Sequence, residues 1–313
     1  MKILAVDDDP VFLELLGKFL RELGHTEVVF CESGSAALPI LNSSSSGFDC
    51  LLVDIQMPVM NGIEFCKSVR AIPRYARTPV LMVTSMSETQ YIDAAFLAGA
   101  SDYITKPLKR MELKARLSLA ASMNQNRARQ LATLSGRGAV RFGSHLRFSD
   151  PVLLHEVHGI LELVALKNYA LTLGNFRMQS WKAIGFATLG ASEFYNACGP
   201  EQFYEVMEDV GNILFDTLKQ SRLMMSYTGS GRFVALVSRH AACERDDLEA
   251  QANAYLQPFS EHYREFTASP IAIVAGREQR SSLLSFQPAD GLIDRAIVSV
   301  QERAANTAVR TFS

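Results

Sequence analysis

Through the first 120 residues, short apolar runs alternate with amphipathic stretches. The runs are Ile3 to Val6, Glu27 to Cys31, Cys50 to Val53, Val80 to Val83 and Asp102 to Ile104. Between the first two, Phe12, Leu13, Leu15, Leu16, Phe19 and Leu20 recur at helical spacing. The stretches after Asn61-Gly62 and from Glu88 to Leu97 do the same more weakly, and the patterns stop near Gly24 and Gly99. Strand then helix, repeated in this way, predicts an α/β unit built on a doubly wound, five-stranded parallel sheet.

The residues at the ends of these runs point to a chemistry. Asp7 and Asp8 follow the first run, Asp54 the third, Thr84 the fourth and Lys106 the fifth. A doubly wound sheet gathers the carboxyl ends of its strands on one edge, where ligands bind. Clustered carboxylates without His or Cys suit a hard, oxygen-seeking ion such as Mg²⁺. Such an ion offsets their mutual repulsion and that of an incoming phosphoryl group, which lets a carboxylate attack phosphorus. Lys106 and the Thr84 hydroxyl can hold the phosphoryl oxygens. Taken singly, these residues say less: Asp9 before Pro10 reads as a helix cap, and Met57-Pro58 and Asn61-Gly62 read as turns opening a helix.

The segments Val6-Asp7-Asp8-Asp9-Pro10, Val53-Asp54-Ile55-Gln56-Met57-Pro58-Val59-Met60-Asn61-Gly62, Val83-Thr84-Ser85 and Thr105-Lys106-Pro107 resemble the receiver domains of bacterial response regulators. That resemblance implies a flavodoxin-like receiver over residues 1–120, with Asp54 as phospho-acceptor. It implies a Mg²⁺ site formed by Asp7, Asp8, Asp54 and the backbone carbonyl of Gln56. Thr84 and Lys106 would be the switch and phosphate-binding residues, Tyr103 the switch aromatic, and the Lys106-Pro107 bond cis. Its implied partner is a sensor histidine kinase or phosphotransfer protein, with a homodimer as the expected assembly. Gln56 and Met86 flank the site and could tune the lifetime of the phosphorylated state.

From Leu108 a basic helical pattern runs on toward Leu134, with Lys109, Arg110, Lys114, Arg116, Arg127 and Arg129 along it. Residues 121–151 read as a helical extension and a Gly-, Ser- and Arg-rich connector ending at Pro151, and 152–313 as a second α/β domain. There, helix patterns cover Pro151 to Leu173, Glu201 to Arg222, Arg245 to Arg264 and Asp290 to Asn306. Strand candidates are Ala183 to Leu189, Leu223 to Tyr227, Phe233 to Val237 and Ile271 to Val274. His155-Glu156-Val157-His158 is one residue short of a zincin motif and reads as ordinary helix histidines.

The hairpin Ser226 to Leu236 resembles the signature of GGDEF (diguanylate cyclase) domains, with Gly229, Ser230, Gly231, Arg232 and Phe233 at the signature. Leu163 to Leu171 is similar to that family's opening motif and Ile293 to Val300 to its closing helix. The departures carry the functional inference. Gly231 and Arg232 stand where the family has acids, and the first core strand runs into Ala187-Thr188-Leu189 without a metal-binding Asp. An arginine stays protonated and repels a cation, so two-metal chemistry on GTP is expected to be lost. A degenerate output domain that binds protein or nucleotide is the expected role. An active cyclase making cyclic di-GMP, a DNA-binding transcription regulator and a phosphate-sink receiver with an inert tail are the alternatives.

Composition narrows these. The 313-residue chain is 48% hydrophobic, 20% charged and carries a net charge of −2, which suits packed domains and disfavours a whole-protein grip on nucleic acid. Five scattered cysteines read as reduced thiols, and no run approaches a membrane span, so a cytoplasmic protein is expected.

Overall fold

The computed structural model describes the chain except for residues 45, 86–88, 133–146, 155–156, 158, 219–221, 242–243, 264–270, 282–287 and 312–313. Within helices it places no side chains for 126–132, 260–263 and 308–311. His155, Glu156, His158, Met86, Cys243 and most of the expected connector lie outside the described residues. Two compact units form, Met1–Ala132 and Thr133–Ser313.

The first unit is a five-stranded parallel sheet in the order β2-β1-β3-β4-β5. Its strands are β1 (Ile3–Val6), β2 (Val28–Cys31), β3 (Cys50–Val53), β4 (Val80–Thr84) and β5 (Asp102–Thr105). The first, third and fourth are buried along their whole length, which is why they read as unbroken apolar runs. Its helices are α1 (Pro10–Glu22), α2 (Gly34–Ser43), α3 (Gly62–Arg70), α4 (Thr89–Leu97) and α5 (Arg110–Ala132). Right-handed crossovers put α1 and α5 on one face and α2 to α4 on the other. On the first face Ile3, Ala5, Leu52 and Ile104 pack with Phe12, Leu16 and Leu20 of α1 and Leu113 and Leu117 of α5. Asp9 caps α1, its side chain accepting from the Val11 amide, as expected.

The second unit contains β6 (Trp181–Leu189), α7 (Ala191–Leu218), β7 (Leu223–Gly229), β8 (Arg232–Ser238), α8 (Arg245–Tyr263) and β9 (Ala272–Ala275), preceded by α6 (Leu163–Arg177) and followed by α9 (Gly291–Thr311). The strands pair antiparallel as β7-β8-β6-β9, a split βαβ arrangement of ferredoxin type. A two-residue strand, β10 (Gln279–Arg280), extends the edge beside Lys182 and Ala183.

Three expectations need correcting here. The helix expected from Pro151 begins only at Leu163; Ile160 instead bridges Met225, and the Leu161 amide donates to the Met225 carbonyl. The apolar spacing serves buried Leu154, Val157 and Leu161, with Ile160 and Leu161 paired to β7. The segment likened to the GGDEF opening motif lies inside α6. The helix expected from Glu201 starts at Ala191, with a break at Gly199, whose φ of 82° and following Pro200 interrupt the pattern. The connector expected to be loose up to Pro151 is ordered at Arg147–Asp150, where it packs on the second unit.

Candidate functional site

Three of the sequence-selected residues meet at the carboxyl edge of the first sheet. Lys106 Nζ lies 2.7 Å from Asp7 Oδ2 and 3.0 Å from Asp54 Oδ1. Both carboxylates are buried, while Lys106 keeps about a fifth of its side chain exposed. The register explains the meeting: β1 lies beside β3, so Asp7 and Asp54 leave adjacent strands together, and the Asp54 amide donates to the Val6 carbonyl. Lys106 follows β5, and its amide donates to the Thr84 carbonyl at 2.8 Å across the β4–β5 pair. The Lys106-Pro107 bond is cis. Lys106 Nζ also sits 3.9 Å from the centre of the Phe12 ring, a cation–π contact that motif reading did not single out.

The loop after β3 is shaped for this site. The Gln56 amide donates to Asp54 Oδ2 and fixes the carboxylate. The Gln56 side chain accepts from Ser85 Oγ at 3.1 Å, so the residues after β3 and β4 are tied. The Gly62 amide returns to the Ile55 carbonyl, and Asn61 caps α3 in a capping box with Glu64. A Cβ on Gly62 would overlap the Asp54 carbonyl oxygen, so only glycine lets α3 start there. Val59 at the loop tip is 99% exposed and has a φ of 70°, a costly conformation for a β-branched residue.

Asp8 is exposed beside Asp7. Thr84 is fully buried at the end of β4, and Tyr103 is buried within β5. Burial pushes the Tyr103 hydroxyl well above its usual range, and the nearby Asp54 charge adds to this. Burial also raises Asp7, against the pull of its Lys106 hydrogen bond. For Lys106, burial disfavours the charged form, but its bonds to Asp7 and Asp54 outweigh this and hold it protonated.

Among the described residues no three His, Cys, Asp or Glu side chains form a ready-made metal cage. The Lys106 ammonium bridges the two buried carboxylates instead. Magnesium keeps several waters and needs only one or two protein carboxylates, so this all-oxygen set at a partly open edge fits such an ion. No described helix is long and apolar enough to cross a membrane.

In the second unit, Gly229 to Phe233 form a hairpin whose turn is Ser230-Gly231, with φ of 57° and 70°. These are the angles of a type I′ turn. Gly231 packs against Ala191, and Arg232 is half-buried, with Nε directed to the Gly229 carbonyl at 3.4 Å. Burial lowers the Arg232 pKa, partly offset by Tyr227. Thr188, near the end of β6, has a buried hydroxyl without a hydrogen-bond partner among the described residues.

Comparison with known proteins agrees with the geometry of the first unit. The family model "Response regulator receiver domain" matches residues 3–118. Chemotaxis protein CheY of Pseudomonas aeruginosa is 39% identical over 117 residues, which is 37% of this chain and 93% of that protein. The signal transduction histidine-protein kinase BarA of Escherichia coli is 37% identical over 114 residues, 36% of this chain but 12% of BarA. Among solved structures, the receiver domain of sensor histidine kinase PA1611 from Pseudomonas aeruginosa, with a magnesium ion in its active-site cleft, is 30% identical. That match covers 37% of this chain and 92% of the other, at a TM-score of 0.34. With the family's motifs at the matching strand ends, this chain belongs to the response-regulator receiver family, the phospho-accepting partners of histidine kinases and phosphotransfer proteins in two-component signalling.

Proposed function

We propose that Asp54 is the phospho-acceptor and that its phosphorylation controls the second unit. The observation that carries this is the buried Asp7–Lys106–Asp54 bridge at the sheet edge. An Asp54 carboxylate oxygen attacks the phosphorus of a phosphohistidine on the donor protein. The new O–P bond forms as the P–N bond breaks, and the imidazole leaves with the electron pair and takes up a proton. Asp7 and Asp8, with Asp54 and the Gln56 carbonyl, would hold a magnesium ion. When bound, that ion offsets carboxylate repulsion and neutralises the phosphoryl oxygens. Lys106 turns from Asp54 to a phosphoryl oxygen, and the Thr84 hydroxyl donates to another. Tyr103 follows Thr84, and the surface of α4, β5 and α5 changes its pairing preference.

The output we propose is a degenerate GGDEF-like module occupying residues 152–313, reached through the extension and connector of 121–151 and working by binding rather than catalysis. Two features support it. The βαββαβ order carries the hairpin at its centre, and the signature positions hold Gly231 and Arg232 in place of acids. The chain would act in the cytoplasm, with a second copy and a further protein as partners.

The test is incubation with acetyl phosphate and magnesium, read by intact mass. Wild type should gain one phosphoryl group and Asp54→Asn none; equal labelling of both would move the acceptor elsewhere. Light scattering with beryllofluoride reads dimerisation on the same two proteins.

A further inference from the structure

The second unit has a cleft at the end of its sheet away from the hairpin. Along the β6–β8 pair, Ala187 faces Arg232 beside the hairpin turn, whereas Lys182, near the start of β6, faces Val237. Lys182 lines the cleft, which has a volume of about 550 Å³ and lies between β6, the start of α8 and the β9–β10 segment. Clefts of this size take small molecules. Its floor is apolar, formed where buried Ile184, Leu248 and Gly276 meet. Its walls are charged.

Lys182 belongs to an interior strand, and its side chain is only 3% exposed. A lysine is almost never buried in this way unless it is paired. Its Nζ donates to the Ala241 carbonyl and to Glu278 Oε2, each at 2.8 Å. An ammonium has three hydrogens, so one remains without a partner among the described residues. A buried ion pair is often no more stabilising than apolar residues of similar volume, so stability alone does not account for a lysine at the base of a cleft. Two guanidinium groups line the same space. Arg245, at the start of α8, pairs with Asp246 through Nε at 3.1 Å, and Arg280, on β10, pairs with Glu278 through Nη2. The rest of each guanidinium fork takes no partner among the described residues. The lining acids have less to offer: Glu278 gives one oxygen to Lys182 and the other to Arg280, and Asp246 already holds Arg245. Spare donors therefore outnumber spare acceptors above an apolar floor. The excess is moderate, because Glu244, Asp246 and Glu278 stand against Lys182, Arg245 and Arg280. A dianion such as phosphate meets repulsion there that a single carboxylate largely escapes.

We propose that this cleft binds a small organic carboxylate, with its oxygens on Lys182, Arg245 and Arg280 and its carbon body on Ile184 and Leu248. A guanidinium fork matches the two oxygens of a carboxylate, and the buried ammonium supplies a further donor from below. The second unit then takes a chemical input of its own, at the opposite end of the sheet from the hairpin. This depends neither on Asp54 as the phospho-acceptor nor on the likeness of the hairpin to GGDEF domains, so its failure would leave both standing.

The test is calorimetric titration of the full-length, unphosphorylated protein without magnesium. The probes run from acetate to hexanoate, through the 2-hydroxy and 2-oxo acids of the same lengths, to the common amino acids. Inorganic phosphate and glycerol phosphate are the competing oxyanions. At least one carboxylate should bind, one molecule per chain, with a Kd below about 1 mM. Arg245→Ala and Arg280→Ala should each weaken it at least ~10-fold, the loss expected for a hydrogen bond between charged groups. Both side chains are well exposed, and circular dichroism checks that the variants fold. Either phosphate should bind at least ~10-fold more weakly than the best carboxylate. The proposal is overturned if no carboxylate binds, if a phosphate binds as tightly as the best of them, or if either folded variant keeps the wild-type affinity.

Discussion

Gly62 stands directly against the carbonyl oxygen of Asp54, leaving no room for a side chain between the start of α3 and the acceptor strand. Gly62→Ala must push the helix or the loop aside. Overpacking of this kind costs about 1–3 kcal/mol. The expected result is a lower urea midpoint together with slower labelling by acetyl phosphate, because the displaced atom belongs to Asp54 itself. A variant that loses stability but labels at the wild-type rate would uncouple the loop from the acceptor.

Among the described residues Lys106 is the cation that bridges the two buried carboxylates, so Lys106→Met leaves Asp7 and Asp54 facing each other without it. Breaking a buried pair from one side is costly, and with Lys106 a fifth exposed we expect a loss of roughly 2 kcal/mol. Added magnesium should recover more stability in this variant than in wild type. Equal magnesium shifts in melting temperature would argue against the ion and Lys106 serving the same two carboxylates.

Glu278 supplies a pH test in the second unit. Although burial works to raise its pKa, the hydrogen bond from buried Lys182 and the Arg280 contact outweigh it and hold the carboxyl below the usual range. The unfolded chain then binds more protons in that window, so stability rises with pH. The contribution is full above the ordinary glutamate pKa of about 4.3 and is lost as pH falls through the depressed folded value. Glu278→Gln should cost about 1–2 kcal/mol at pH 7, and the urea midpoints of variant and wild type should converge in acid. A gap that persists unchanged at low pH would contradict the pairing.

Placing acids at the hairpin positions likened to the GGDEF signature should not produce a cyclase. A side chain at Gly231 meets the Ala191 methyl and must adopt a φ of 70°. The pair Gly231→Glu and Arg232→Glu should therefore destabilise the protein by about 2–4 kcal/mol and yield no cyclic dinucleotide from GTP and magnesium. Product above background would contradict a binding role without catalysis for the second unit.

The receiver half was legible because its strands are buried on both faces and end at chemistry. Ile3–Val6 and Cys50–Val53 match the apolar runs residue for residue, and the acids that stop the runs are the ones that meet Lys106. What was not legible came from contacts distant in sequence. Phe12 under Lys106 looked like one more core residue of α1. Helix-like spacing before α6 came from Leu154, Val157 and Leu161, which are buried ahead of the helix. Arg147–Asp150 sat within a Gly-, Ser- and Arg-rich stretch; its signals were the aromatic at Phe148 and the Asp150-Pro151 pair that follows it.

The Lys106 amide is hydrogen-bonded to the Thr84 carbonyl, so the backbones of the two residues proposed to grip the phosphoryl group are joined as one piece. Whatever moves there on activation moves by torsion of side chains on a fixed mount. The time constant of the change is then that of rotamer exchange and of the helix surfaces that answer it, not of strands sliding or re-pairing. A receiver built this way can respond many times without ever loosening its sheet.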